Sequence, residues 1–110
     1  MDPKKTATLI DELEGEVNNG GFHQYFYNSA GDNTAEAIQA LEEIGALRVA
    51  DIVRRAAARF PGGMPPKERF TRQDVLLELF PKGEGFEDLD DEFYNYPDNL
   101  AGLLQQFIGR

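Results

Sequence analysis

A chain of 110 residues has the size of one domain and is too short to build two separate cores. Its 41% hydrophobic and 11% aromatic content fills one core, and the lack of cysteine excludes disulfides, thiolate nucleophiles and cysteine-based zinc sites. A net charge of -9 argues against direct nucleic-acid binding, because carboxylates repel phosphates, and favours a basic partner or simple solubility.

In chain order, the first element is an amphipathic helix. Leu9, Ile10, Leu13 and Val17 recur at offsets of three and four, with Asp11, Glu12, Glu14 and Glu16 mostly off that stripe. The run Asn18-Asn19-Gly20-Gly21 is expected to end it, since Gly and Asn accept left-handed backbone. A short second helix over 21–29 follows, with Phe22, Tyr25 and Phe26 inward, and Gly31 breaks it. Asp32 or Asn33 then caps a third helix, with Asn33 and Glu36 at the spacing of a capping box and Ile38, Leu41 and Ile44 in the core.

Beyond Gly45 a fourth helix runs to about Arg59. Leu47, Ala50, Val53, Ala57 and Phe60 are expected inside, with Arg48, Asp51, Arg55 and Arg59 on a solvated, salt-bridged face. The "PGGMPP" at 61–66 forces a break. A fifth helix spans 67–79, carries Phe70, Leu76, Leu77 and Leu79, and is closed by Pro81. A short helix is predicted near 88–95, where Leu89 and Phe93 stand four apart. Pro97 suits the first turn of a last helix burying Leu100, Leu103, Leu104, Phe107 and Ile108. With no strand pattern and no repeat, the expectation is an all-α domain over 1–110, an orthogonal bundle of six or seven short helices.

Charge is unevenly spread. Residues 48–72 set seven cations against Asp51 and Glu68, a net +5, which leaves -14 on the remainder of a chain whose total is -9. Between 82 and 99, Glu84, Glu87, Asp88, Asp90, Asp91, Glu92 and Asp98 face Lys82 alone. No apolar run approaches the roughly 20 residues of a membrane span, and the N-terminus has no apolar stretch followed by a small-residue cleavage site, so a cytoplasmic location without membrane contact is expected.

Little in the chain specifies catalysis. His23 is the sole histidine, and Ser29 lies in no recognisable nucleophile context. One His with carboxylates is an uncommon zinc set, and "EDLDDE" at 87–92 lacks the spacing of a calcium loop, so no metal and no cofactor is expected. The two glycines of "NNGG" precede a helix, but no Walker lysine or dinucleotide fingerprint accompanies them, which favours a tight turn over a phosphate cradle.

The segment "NNGGFHQYFYNSAGDNTAEAIQALEEIGA", 18–46, resembles the signature of a bacterial all-helical family named for the C-terminal domain of a DNA-mimic protein. The resemblance rests on Asn19, Gly20, Gly21 and Phe22, then Tyr27-Asn28, Ser29-Ala30-Gly31 and Ile44-Gly45-Ala46. The later "FPGGMPP", an arginine at Arg69 or Arg72, and "LDDEFY" extend it over nearly the whole chain. It implies an all-α fold and, for some members, carboxylates presented where DNA presents phosphates, so that a DNA-binding protein is occupied.

The leading expectation is therefore a non-enzymatic acidic interaction module that binds a basic protein, such as a DNA-binding regulator, through Asp11, Glu12, Glu14, Glu16, Glu87, Asp88, Asp90, Asp91 and Glu92. Carboxylates three or four apart on a helix stand roughly 5–6 Å apart, of the order of the spacing between backbone phosphates. The alternatives are an immunity or inhibitor protein that neutralises a toxin, and a small-molecule-binding domain or enzyme with a pocket lined by Phe22, His23, Tyr25, Tyr27 and Asn28.

Overall fold

A computed structural model describes residues 2–109. Among them are six α-helices, two short 3-10 turns and no strand, so the molecule is all-α. The helices are α1 (Pro3–Tyr27), α2 (Thr34–Glu43), α3 (Leu47–Ala57), α4 (Arg69–Leu79), α5 (Glu87–Tyr94) and α6 (Leu100–Ile108). α1 packs against α2, α4, α5 and α6, while α3 packs against α2 and α5.

The two helices expected before residue 29 are present, joined across a kink at Gly20 and Gly21 within Pro3–Tyr27. Asp2 starts the first by accepting from the Lys4 N–H at 3.1 Å, with Pro3 in the first turn. Gly20 and Gly21 leave helical geometry, Gly21 at φ +76° and ψ -176°. In a straight helix Glu16 and Asn28 would lie about 18 Å apart. Here Asn28 Nδ2 donates to Glu16 Oε2 at 2.8 Å and Gln24 Nε2 donates to the same oxygen at 3.0 Å, so the chain turns sharply at the glycines.

That turn points the second arm of α1 into the core. Phe22, Tyr25 and Phe26 are buried. Phe26 lies between the rings of Phe60, Tyr25, Phe86 and Phe22, with centroids at 4.9, 5.4, 5.5 and 6.1 Å, within the range of favourable aromatic pairs. Leu9, Ile10, Leu13, Val17, Ile38, Leu41, Val53, Leu76, Leu89 and Phe93 join the same cluster.

Arg72 of α4 is fully buried and uses all five of its N–H groups. Nε donates to the Phe26 carbonyl at 2.7 Å, Nη1 to the Pro66 and Lys67 carbonyls at 3.1 and 3.0 Å, and Nη2 to the Asn28 carbonyl and Asp32 Oδ1 at 2.9 and 2.8 Å. One guanidinium thus ties the end of α1, the turn after it and the loop before α4. Gly31 is what lets it in, since a Cβ there would stand 2.9 Å from Arg72 Nε and 2.7 Å from the Tyr25 carbonyl oxygen.

Several local expectations change in the folded chain. Asn33 makes no side-chain cap; α2 is entered through a 3-10 turn over Ser29–Asn33, where Thr34 Oγ1 donates to the Gly31 carbonyl at 2.8 Å, and Glu36 pairs with Lys67. Leu47 is exposed, because α3 begins there and its first turn is held from outside: Asp98 Oδ2 accepts from the N–H groups of Arg48 and Val49 at 2.8 and 2.9 Å. Pro97 lies ahead of α6, whose cap is Asn99. Ile108 is exposed, and Phe70, Leu77 and Leu79 of α4 lie on its outer side while Leu76 is buried.

Candidate functional site

The acidic residues singled out from sequence fall on two elements that meet at the glycine bend. α5 docks with Leu89 and Phe93 inward. Asp90 Oδ1 accepts from the Phe22 N–H at 2.8 Å, and the Tyr94 hydroxyl donates to the Val17 carbonyl at 2.9 Å. Just beyond α5, the Tyr96 hydroxyl donates to Glu14 Oε2 at 2.8 Å and accepts from Asn18 Nδ2 at 2.7 Å. The middle of α1 and the whole of α5 are thereby stapled together by two tyrosines and one aspartate.

The nine carboxylates do different things. Glu87, Asp88, Asp91 and Glu92 stand exposed on the outer face of α5 in i, i+4 rows. The row nearer α3 is matched by arginines with the same spacing. Arg59 Nη1 and Nη2 reach Asp88 at 2.9 and 2.7 Å, and Arg55 Nη1 and Nη2 reach Glu92 at 2.9 and 2.6 Å, both in two-pronged geometry. Arg55 also donates from Nε to Asp51 at 3.0 Å, and Arg59 to the Gly85 carbonyl while lying 5.7 Å from the centre of the Phe86 ring. The hydrogen bonds from Arg59 hold Asp88 down at about 2, and those from Arg55 lower Glu92.

The other row is free of cations. Glu87 accepts from the Gly85 N–H at 2.9 Å, and backbone N–H groups at the start of α5, its own and that of Gly85, hold it below the ordinary glutamate range. Among the described residues Asp91 has no hydrogen-bond or ion-pair partner, and neither do Asp11 and Glu12 on α1. Glu16 is engaged by Gln24 and Asn28, and Glu14 by Tyr96. Asp90 is turned inward; burial raises its pKa, against the pull of the Phe22 N–H.

The aromatic stretch contributes mainly to packing. Phe22 and Tyr25 lie in the core, His23 Nε2 meets the Phe80 carbonyl at 3.2 Å, and Tyr27 is partly exposed with its carbonyl accepting from Gln73 Nε2 at 2.7 Å. Asn28 spends its side chain on Glu16 rather than on the start of the next helix. Among the described residues no group of three or more His, Asp or Glu is arranged to hold a metal ion, and no helix is long and apolar enough to cross a membrane.

Two features of this surface escaped sequence reasoning. The pairing of Arg55 and Arg59 with Glu92 and Asp88 had a readable signal, two i, i+4 pairs of opposite sign. The capture of the Phe22 N–H by Asp90 spans 68 residues and had none. Comparison with curated proteins and with solved structures finds no match. The family model described as DMP19-like protein matches residues 2–110, and the chain belongs to that family.

Proposed function

We propose that this protein is a non-enzymatic DNA mimic, which presents carboxylates to the basic DNA-binding surface of another protein and so competes with DNA for it. The observation that carries the reading is the outer face of α5, where Glu87, Asp88, Asp91 and Glu92 stand in two parallel rows on one exposed surface. Its spacing is fixed, because Asp88 and Glu92 are clamped by Arg59 and Arg55 of α3 and the helix is stapled to α1. A rigid array of charge is what a basic groove evolved for phosphates would accept without reorganising either side. Membership of the DMP19-like family supports the same reading. Glu87 and Asp91, without ion-pair partners among the described residues, are the first contacts; Asp90 and Glu14 tie α5 and the turn after it to α1, and Glu16 holds the glycine bend.

The test is affinity capture of DNA-binding proteins on the immobilised chain, followed by displacement of labelled DNA from whichever regulator is captured. Capture is expected to weaken steeply with salt, and Glu87→Gln with Asp91→Asn is expected to abolish displacement. Displacement that survives neutralisation of all four exposed α5 carboxylates would overturn the reading.

A further inference from the structure

The surface between α1 and α6 is apolar where a solvent-facing surface is usually polar. Its floor is Ile10 and Leu100, its wall Leu104 and Ile108, and its α1 rim Asp11 and Glu14; together they bound a groove of about 320 Å³. Past Ile108 the groove continues between that side chain, Pro3 and Ala7 for about another 350 Å³. Ile108 is 53% exposed, although its neighbours Leu104 and Phe107 pack on the core. The lining residues follow helix periodicity on both elements. On α1 they recur as Pro3, Ala7, Ile10 and Glu14, and on α6 as Leu100, Leu104 and Ile108. The twelve residues of α1 from Pro3 to Glu14 span about 16 Å, three turns of helix. Two neighbouring helices with an unfilled seam of that length have room for a third helix.

The rim says which helix fits. Of the charged residues that line it, Asp11 and Glu14 flank its middle and Lys4 stands at the Pro3 end; Asp11 has no partner among the described residues, and Glu14 bonds only to a tyrosine hydroxyl. We propose that this groove docks an amphipathic helix of a partner protein, with apolar residues at i, i+3 or i+4, and i+7 seated on Ile10, Leu104 and Ile108, and Lys or Arg on its flank facing Asp11 and Glu14. A second copy of this chain fits poorly, because a two-fold contact brings the same carboxylates together from both sides. An anionic lipid surface is repelled by the same rim. The inference extends the acidic-surface reading, on which it rests for the sign of the partner's charge, by adding an apolar anchor that distinguishes a protein partner from mere charge attraction.

The experiment uses the full chain and a fluorescein-labelled amphipathic peptide of Leu and Lys, about 15 residues or four turns long. Fluorescence anisotropy is expected to show saturable binding. A peptide of the same charge with Ser in place of Leu, and one with Glu in place of Lys, are expected not to bind. Ile108→Ser, at an exposed position that the fold does not need, is expected to weaken binding about tenfold. Asp11→Asn with Glu14→Gln is expected to weaken it a few-fold and flatten its salt dependence, with Gln still able to accept from Tyr96. Glu87→Gln with Asp91→Asn is expected to leave it unchanged, which separates this groove from the α5 face: failure there leaves the groove standing, and the reverse. Absence of saturable binding, equal binding of the Ser-Lys peptide, or indifference to Ile108→Ser would overturn the proposal. So would sedimentation showing that Ile108→Ser turns a dimer into a monomer, since the occupant is then a second copy.

Discussion

The carboxylate of Asp90 and the backbone of Phe22 close the molecule at its sharpest bend. Oδ1 accepts from the Phe22 N–H at 2.8 Å, and Oδ2 occupies the place of the Cβ that Gly21 lacks, 2.3 Å from where that atom would be. The Gly-Gly-Phe motif of the first helix therefore has its physical reason in α5, on the far side of the chain.

Gly21→Ala meets two obstacles at once. The backbone at φ +76° and ψ -176° belongs to a region that only glycine visits freely, a cost of about 1–3 kcal/mol for another residue. The added methyl also displaces Asp90 and frees the Phe22 N–H. Urea unfolding should show a loss of at least that size, and a variant as stable as the parent would mean that the bend does not require glycine at 21.

Asp90 and Asp88 should bend the pH dependence of stability in opposite directions. Burial raises Asp90 above its ordinary value, so its share of stability is whole below about pH 4 and lost as pH rises through the raised value. Asp90→Asn keeps an acceptor for Phe22 without the titration. The parent's stability relative to this variant should fall as pH rises from about 4. Arg59 holds Asp88 at about 2, so its contribution, small because solvent screens the pair, is present above about pH 4 and disappears as pH falls toward 2. The parent relative to Asp88→Asn should therefore gain with rising pH. Denaturant midpoints across about pH 2 to 6, a range of about two units on each side of the ordinary value, decide it; parallel curves for both variants would contradict both assignments.

Most of the fold was legible before folding, for reasons that differ by element. The stripe Leu9, Ile10, Leu13 and Val17 and the aromatics Phe22, Tyr25 and Phe26 are buried as helical periodicity requires, because burial of apolar area outweighs other local preferences. Leu47 and Ile108 escaped because periodicity does not tell which end of an amphipathic helix outruns its neighbours. Asn33 looked like a cap, but the preceding 3-10 turn already ordered that backbone, and a cap motif read locally cannot foresee it. The acidic array was legible as composition on α1 and α5. Which carboxylates are free and which serve the fold depends on Arg55, Arg59, Phe22 and Tyr96, partners that only tertiary structure brings near.

Arg72 and Phe22 test the core from its polar and apolar sides. Arg72→Met strands four carbonyls and Asp32 Oδ1 that the guanidinium satisfied, and Arg72→Lys cannot reproduce the planar fork, so each should cost about 3–5 kcal/mol. Phe22→Ala removes a fully buried ring that contacts Phe26, Phe86 and Phe93, at a cost of about 3–5 kcal/mol. Losses of this size consume a large part of the stability of a domain this small. Calorimetry should find these variants largely unfolded at temperatures where the parent is intact, and an unchanged melting temperature for Phe22→Ala would remove its ring from the core.

Arg55 and Arg59 set the strength of the acidic face, because each cancels one of its four outward carboxylates. Both carboxylates and Arg55 are solvent-exposed and Arg59 is half-buried, so solvent screens the ion pairs and the fold should lose little without them. Arg55→Gln with Arg59→Gln shifts the surface by two charges toward the negative. On the DNA-mimic reading, association with a basic partner should then speed up several-fold at low salt, with a steeper salt dependence. The arginines also fix the spacing of Asp88 and Glu92, so the same variant should dissociate faster, and where that loss outweighs the added charge the complex weakens despite its faster association. Surface plasmon resonance at two salt concentrations separates these outcomes, and a partner whose rates ignore both arginines and both carboxylates does not bind at α5.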